Sequence, residues 1–201
     1  MSKMVWVGGS PCSGKSTVAR ALATDRGWSL YSCDEAFDRH SAAVSAADGP
    51  TLKKVASLSV ADRLAQDVDL QVADVVRLCE EEFPLILHDL ATFPDGVVVE
   101  GAALMPGLLR SIAVPVAQAV WIVPTEQFQN LHYGDRAWAR AAVSRLPDPL
   151  NAFSRWMQRD ARFATRIAQQ AGQLGYRVIV VDGSETVEQI TAAVTDLMPL
   201  A

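Results

Sequence analysis

A basic excess, a set of paired cysteines and any long apolar run are all missing from this chain, and each absence removes a class of function. Lysine and arginine number 18 against 23 aspartates and glutamates, a formal charge of −5. Phosphate backbones demand the opposite balance, so no nucleic acid is expected as a partner. No stretch approaches the roughly 20 apolar residues of a membrane span. The run Met4-Val5-Trp6-Val7 is too short for a secretory signal and has no basic flank, which sets the expectation of a cytoplasmic protein with no membrane partner. Cys12, Cys33 and Cys79 form an odd, scattered set. They fit neither a disulfide framework nor a metal knuckle and read as reduced thiols. His40, His88 and His132 have no spacing for metal or triad chemistry and are read as structural. There is no internal repeat or low-complexity segment. What remains is 201 residues, half of them apolar and a fifth charged. That is enough for one domain burying about 70% of its unfolded surface.

Into this ordinary background one specific signal is set. Gly9-Ser10-Pro11-Cys12-Ser13-Gly14-Lys15-Ser16 fits G-x-x-x-x-G-K-[ST], the phosphate-binding loop. The apolar run 4–7 before it reads as a buried strand. Residues 14–26 after it read as a helix stopped by Gly27. Glycines at 9 and 14 let backbone N–H groups converge on a phosphate, and the helix N-terminus adds partial positive charge. By the same logic Lys15 reaches the β- and γ-phosphates and the Ser16 hydroxyl ligates Mg²⁺. Gly9, Ser10, Cys12, Ser13, Gly14, Lys15, Ser16 and Thr17 are therefore the candidate nucleotide contacts.

Beyond the loop, apolar strands alternate with helical periodicities. A second strand over 28–32 ends at Cys33-Asp34-Glu35, and 36–45 reads as a helix. Ala46-Ala47-Asp48-Gly49-Pro50 is a break, and 51–58 is ambiguous. Ser59 is a candidate N-cap with Asp62 at N3, opening one long helix whose apolar positions run from Ala61 to Phe83. Pro84 is expected to kink or restart it, with helix resuming to about 91. Phe93-Pro94-Asp95-Gly96 is a turn and Val97-Val98-Val99 a third strand, ending at Glu100-Gly101. A short helix over 106–112, a strand over 119–123 and a helix capped by Thr125 follow, with Gly134 interrupting that helix before 135–146. Pro147-Asp148-Pro149 breaks the chain ahead of a long helix over 150–171, a last strand over 176–181 and a closing helix. Such alternation implies a parallel sheet covered on both faces. Ligands then sit beyond the carboxyl ends of the strands, where Gly9, Asp34, Glu100, Pro124 and Asp182 should converge.

The loop and this element order make the chain resemble the P-loop kinases of the nucleoside monophosphate kinase-like group, which includes nucleotide, shikimate and gluconate kinases and chloramphenicol phosphotransferase. The resemblance in element order spans nearly the whole chain. It implies an α/β fold of three αβα layers around a five-stranded parallel sheet in the order 2-3-1-4-5. It also implies one domain over 1–201, with a helical substrate insert (about 38–92) and an arginine-bearing lid (about 126–165). Asp34 stands where small-molecule kinases of the group keep an acidic residue facing the acceptor hydroxyl. Glu100-Gly101 replaces the Asp-Gly that nucleotide kinases carry after the third strand, which makes Glu100 a candidate for the Mg²⁺ shell. Arg136 and Arg140 fall where lid arginines lie, and Asp182-Gly183 where the group's loop borders adenine.

The expected activity is ATP- and Mg²⁺-dependent transfer of the γ-phosphoryl group to a small-molecule acceptor, through a hydroxyl. Lys15, Asp34, Arg136 and Arg140 are the candidate catalytic residues. Asp34, Asp38, Glu81, Arg155 and Arg159 are the candidate acceptor contacts, Asp38 one turn on from Asp34 and the two arginines four apart. A nucleoside or nucleoside monophosphate kinase is the nearest alternative. A nucleotide-binding regulatory protein without an acceptor is the alternative of another class. The oligomeric state is left open.

Overall fold

The computed structural model of the protein describes residues 3–93 and 96–197. Pro94 and Asp95, half of the turn expected at 93–96, lie outside those residues. Five strands, β1 Met4–Gly9, β2 Ser29–Ser32, β3 Val97–Gly101, β4 Ala119–Pro124 and β5 Arg177–Val181, form one parallel sheet in the order β2-β3-β1-β4-β5. The expected order and layering are borne out. The strands read as continuous apolar runs because both faces are covered. Val5 and Val7 of β1, Val98 of β3, and Val120 and Ile122 of β4 pack on α1 (Lys15–Arg26) and α10 (Val187–Leu197). The alternate residues Trp6, Val97, Val99, Trp121 and Val123 face the opposite core. There they meet α5 (Val68–Leu90) and α9 (Pro149–Gln173), through Phe83 and Ile86 of the one and Phe163 and Ile167 of the other. Each such side chain contributes about 1.5–3 kcal/mol by burial.

Several element boundaries differ from the sequence reading, each for a local reason. α2 (Cys33–Ala43) begins at Cys33 rather than Ala36, so Asp34 sits in its first turn. There a carboxylate suits the positive helix end. The ambiguous 51–58 region is helix α3 (Pro50–Ser57). The single helix expected after Ser59 is two. Ser59 does cap α4 (Val60–Ala65) by accepting from Asp62 N, but Gln66 is extended and Asp67 caps α5 afresh by accepting from Asp69 N. Conversely, Pro84 neither ends nor restarts α5, which is continuous from Val68 to Leu90. Pro84 lies on the exposed side, between buried Phe83 and Ile86, whose packing offsets a helix penalty of about 3 kcal/mol. α7 (Glu126–Asp135) runs through Gly134 and breaks at Arg136, before α8 (Ala137–Val143).

Helices α2 to α5 stand between β2 and β3 and are fastened by polar ties. Buried His40 on α2 lies between Glu82 and Asp89 of α5, at 2.9 Å from each. Asp89 also accepts from Tyr31 Oη at 2.7 Å and from both terminal nitrogens of Arg39. These groups, led by Arg39, hold the Asp89 carboxyl well below the usual carboxylate range. His40 is thus a structural histidine joining two helices.

Candidate active site

The phosphate loop joins β1 to α1 and folds as its glycines require. Gly9 has φ +147°, and a Cβ there would fall 2.0 Å from Ile122 O on β4, so only glycine lets the loop leave the sheet this close. Gly14, at φ +79°, is the N-cap of α1 and offers no capping side chain. Of the leading N–H groups of that helix, Lys15 N donates to Ser13 Oγ at 3.4 Å and Thr17 N to Gly14 O at 3.0 Å, and the helix end presents its partial positive charge to the loop. Cys12 also takes a left-handed conformation, φ +65°, unusual for a side-chain-bearing residue. Burial pushes its thiol pKa up, which argues against a reactive thiolate.

A cavity of about 300 Å³ opens above the loop, walled by Cys12 to Thr17 together with Asp34, Tyr133 and Arg136. Gly9 and Ser10 lie beneath the loop, fully enclosed, rather than on that wall. Lys15 is buried, and its Nζ is 3.7 Å from Asp34 Oδ2. The Asp34 side chain is 58% exposed and so remains open to an incoming group. At the end of β3 the buried Glu100 accepts from Ser16 Oγ at 3.0 Å and from Ser32 Oγ at 2.6 Å. A hydroxyl beside a carboxylate is a hard-oxygen pair of the kind Mg²⁺ selects, so these residues fit that ion. Among the described residues no cluster of three or more His, Cys, Asp or Glu could hold a metal by itself. Mg²⁺ commonly takes one or two carboxylates and leaves the rest of its shell to phosphates and water.

Arg136 reaches this cavity from the joint between α7 and α8. Its guanidinium carbon lies 5.2 Å from the Tyr133 ring and 6.0 Å from that of Trp138. Those rings meet Trp156 of α9 at centroid distances of 5.3 and 5.7 Å. Trp156 Nε1 in turn donates to Asp160 Oδ2 at 3.1 Å. Arg140, by contrast, is exposed and donates to Asp135 O, the last residue of α7. It does not line the cavity.

A second cavity, of about 160 Å³, shares Pro11 with the first and lies between the insert helices and α9. Arg63, Gln66, Gln71, Asp74, Arg159 and Asp160 are its polar wall. Arg159 pairs with the buried Asp160 at 2.7 Å. Burial pushes the Asp160 carboxyl pKa up, and Arg159, Trp156 and Tyr133 act against that. Burial, with the charge of Arg159 behind it, pulls the Arg63 guanidinium below its ordinary value. The cavity thus carries two guanidinium groups and two carboxylates, with Arg159 committed to Asp160 and Asp74 to Lys54.

The other expected acceptor contacts lie elsewhere. Arg155 donates to the carbonyls of Ala65 and Gln66, where the break between α4 and α5 leaves them without helical partners. Glu81 accepts from the backbone N–H of Thr51 and Leu52 at 3.1 and 2.7 Å, capping α3 from outside the helix. Asp38 is exposed on α2 and lines neither cavity. Asp182 forms a turn by accepting from Ser184 N and Oγ, which lowers its pKa, and Gly183 rests near Phe128 of α7. Arg63, Gln71 and Tyr133 were not singled out in the sequence. Arg63 and Gln71 sit among other polar helix positions, and nothing short of the helix packing separates them from solvated neighbours.

No family model and no curated protein matches the chain. Solved structures do. A shikimate kinase from Acinetobacter baumannii, in complex with shikimate, is 15% identical with a TM-score of 0.54 over 98% of this chain and 92% of that one. The shikimate kinase from Bacteroides thetaiotaomicron is 14% identical with a TM-score of 0.53 over 98% and 97%. At that identity the likeness is one of fold. The chain has the fold of these shikimate kinases, a P-loop kinase fold built on the same three layers.

Proposed function

We propose that the protein transfers the γ-phosphoryl group of ATP to a hydroxyl of a small anionic molecule. The observation that carries this reading is the pair of adjoining cavities: one on the phosphate loop beside Lys15, Asp34 and Arg136, the other walled by Arg63 and Arg159. A regulatory nucleotide-binding protein has no use for the second. In the reaction the acceptor oxygen bonds to the γ-phosphorus, the bond from that phosphorus to the β-bridging oxygen breaks, and ADP leaves. Asp34 takes the hydroxyl proton. Lys15 and Arg136 hold the charge spread over the transferred group. Ser16 and Glu100 would hold Mg²⁺, which would supply charge neutralisation to the phosphates. The adenine is assigned to the side of Asp182 and Gly183, against Phe128.

Residues 38–92 and 126–165 act as acceptor insert and lid, although Phe163 and Ala164 of α9 belong to the main core and set the limit of any lid movement. Shikimate, held by the Acinetobacter baumannii neighbour, is the first acceptor to try. Calorimetry tests the division of labour. Arg63→Met should weaken acceptor binding at least tenfold and leave the affinity for a non-hydrolysable Mg·ATP analogue unchanged. An equal loss of nucleotide affinity would assign the second cavity to the nucleotide instead.

A further inference from the structure

Gln71 is the least expected group on the acceptor wall. It opens the second turn of α5, is 5% exposed, and lines the cavity shared by Arg63 and Arg159. Its Nε2 donates to Gln66 O at 2.9 Å, which fixes which end of the amide points where. Its Oε1 is buried and has no hydrogen-bond partner. The two carboxylates on that wall are engaged. Asp74 is paired with Lys54 at 2.6 Å, and Asp160 with Arg159 and the Trp156 N–H. A buried carbonyl left unpaired is costly, and one beside a cavity is a recognition element in search of a donor.

We infer that Gln71 is a specificity determinant: its Oε1 accepts a hydrogen bond from an O–H or N–H of the acceptor, at a position separate from the anionic group that Arg63 and Arg159 hold. The inference rests on the anion-cavity reading above. A carbonyl oxygen cannot welcome a carboxylate or phosphate oxygen, since both only accept. The guanidinium groups cannot accept from a hydroxyl. The wall therefore reads two features of opposite kind. It should favour an acid that carries both the charge and a donor, because only such a ligand gives the Gln71 oxygen the partner it lacks. The ligand class that satisfies both is a small anion with at least one hydroxyl or amine besides the hydroxyl that is phosphorylated.

The test uses cyclohexanecarboxylate and its ring-hydroxylated isomers as probes. Binding to the full-length protein loaded with a non-hydrolysable Mg·ATP analogue is measured by calorimetry. In the wild type at least one hydroxylated isomer should bind roughly 10- to 100-fold more tightly than the parent acid. In Gln71→Met and Gln71→Leu the ratio should fall to within about twofold while the parent acid still binds. Arg63→Met should weaken parent and hydroxylated acids together and keep the ratio. A wild type that binds parent and hydroxylated acids equally overturns the role of Gln71, whatever the variants do. So does an unchanged ratio in folded Gln71 variants. If no acid binds the wild type while the nucleotide does, the anion cavity itself is refuted and this inference falls with it.

Discussion

Replacing Arg136 and, separately, Trp138 distinguishes a catalytic charge from the aromatic surface that aims it. Arg136→Met keeps the bulk of the side chain and removes the charge from the wall of the phosphate cavity. An arginine over a transferring phosphoryl group contributes about 10³–10⁵ in rate, so kcat should fall by at least about 10³ with little change in acceptor KM. Trp138→Leu removes one of the two rings under the guanidinium, the one at 6.0 Å, and leaves Tyr133 at 5.2 Å. Trp138 is 54% exposed. A cation–π contact in that setting is worth about 0.5–1 kcal/mol. At roughly 1.4 kcal/mol per decade this lowers the share of aimed Arg136, and hence kcat, about 2- to 5-fold. Steady-state kinetics at saturating Mg·ATP, with unfolding midpoints for both variants, give the comparison. Wild-type kcat in Arg136→Met would refute the catalytic assignment. An equally large loss in Trp138→Leu would show that Arg136 matters through packing alone.

Asp34→Asn should keep nucleotide binding and lower kcat by about 10²–10⁴, because Asn cannot take the hydroxyl proton; full turnover would reduce Asp34 to a partner of Lys15. Glu81→Ala should lower stability by about 1–2 kcal/mol in urea unfolding, the cost of an uncapped helix, with nucleotide affinity intact; an unchanged midpoint would mean that α3 does not depend on this carboxylate. The depressed Asp89 pKa has a defined consequence for acid stability. Its stabilising contribution is fully present above the ordinary carboxylate value near 4 and is lost as pH falls through the lower folded value. Stability should therefore drop on acidification below about pH 4, and Asp89→Asn should flatten that drop; identical acid profiles would contradict it.

The phosphate loop and the strands were legible because each is over-determined, whereas the sheet order came with the resemblance to the P-loop kinases. The loop needs glycine at two positions and a lysine at one, and buried parallel strands cannot hide their apolar runs. The break at Gln66 and Asp67 was not, since apolar spacing continues through it while the capping oxygen of Asp67 cuts the helix. Pro84 did not restart the helix, because its exposed ring is tolerated where its neighbours pack. Arg155 and Arg159 share one spacing and diverge in role. One meets carbonyls without helical partners at a helix break, and the other meets a cavity. Only the crossing of α9 over α4 and α5 decides which, and no local pattern encodes that crossing.

The fate of the γ-phosphoryl group tests the central claim most directly. Wild-type protein is given γ-labelled Mg·ATP with shikimate and a panel of other small hydroxylated anions, beside Lys15→Ala. The account predicts label in a phosphorylated acceptor for at least one member of the panel, formed much faster than free phosphate and lost in Lys15→Ala. Label released only as inorganic phosphate, at a rate no acceptor changes, would contradict it.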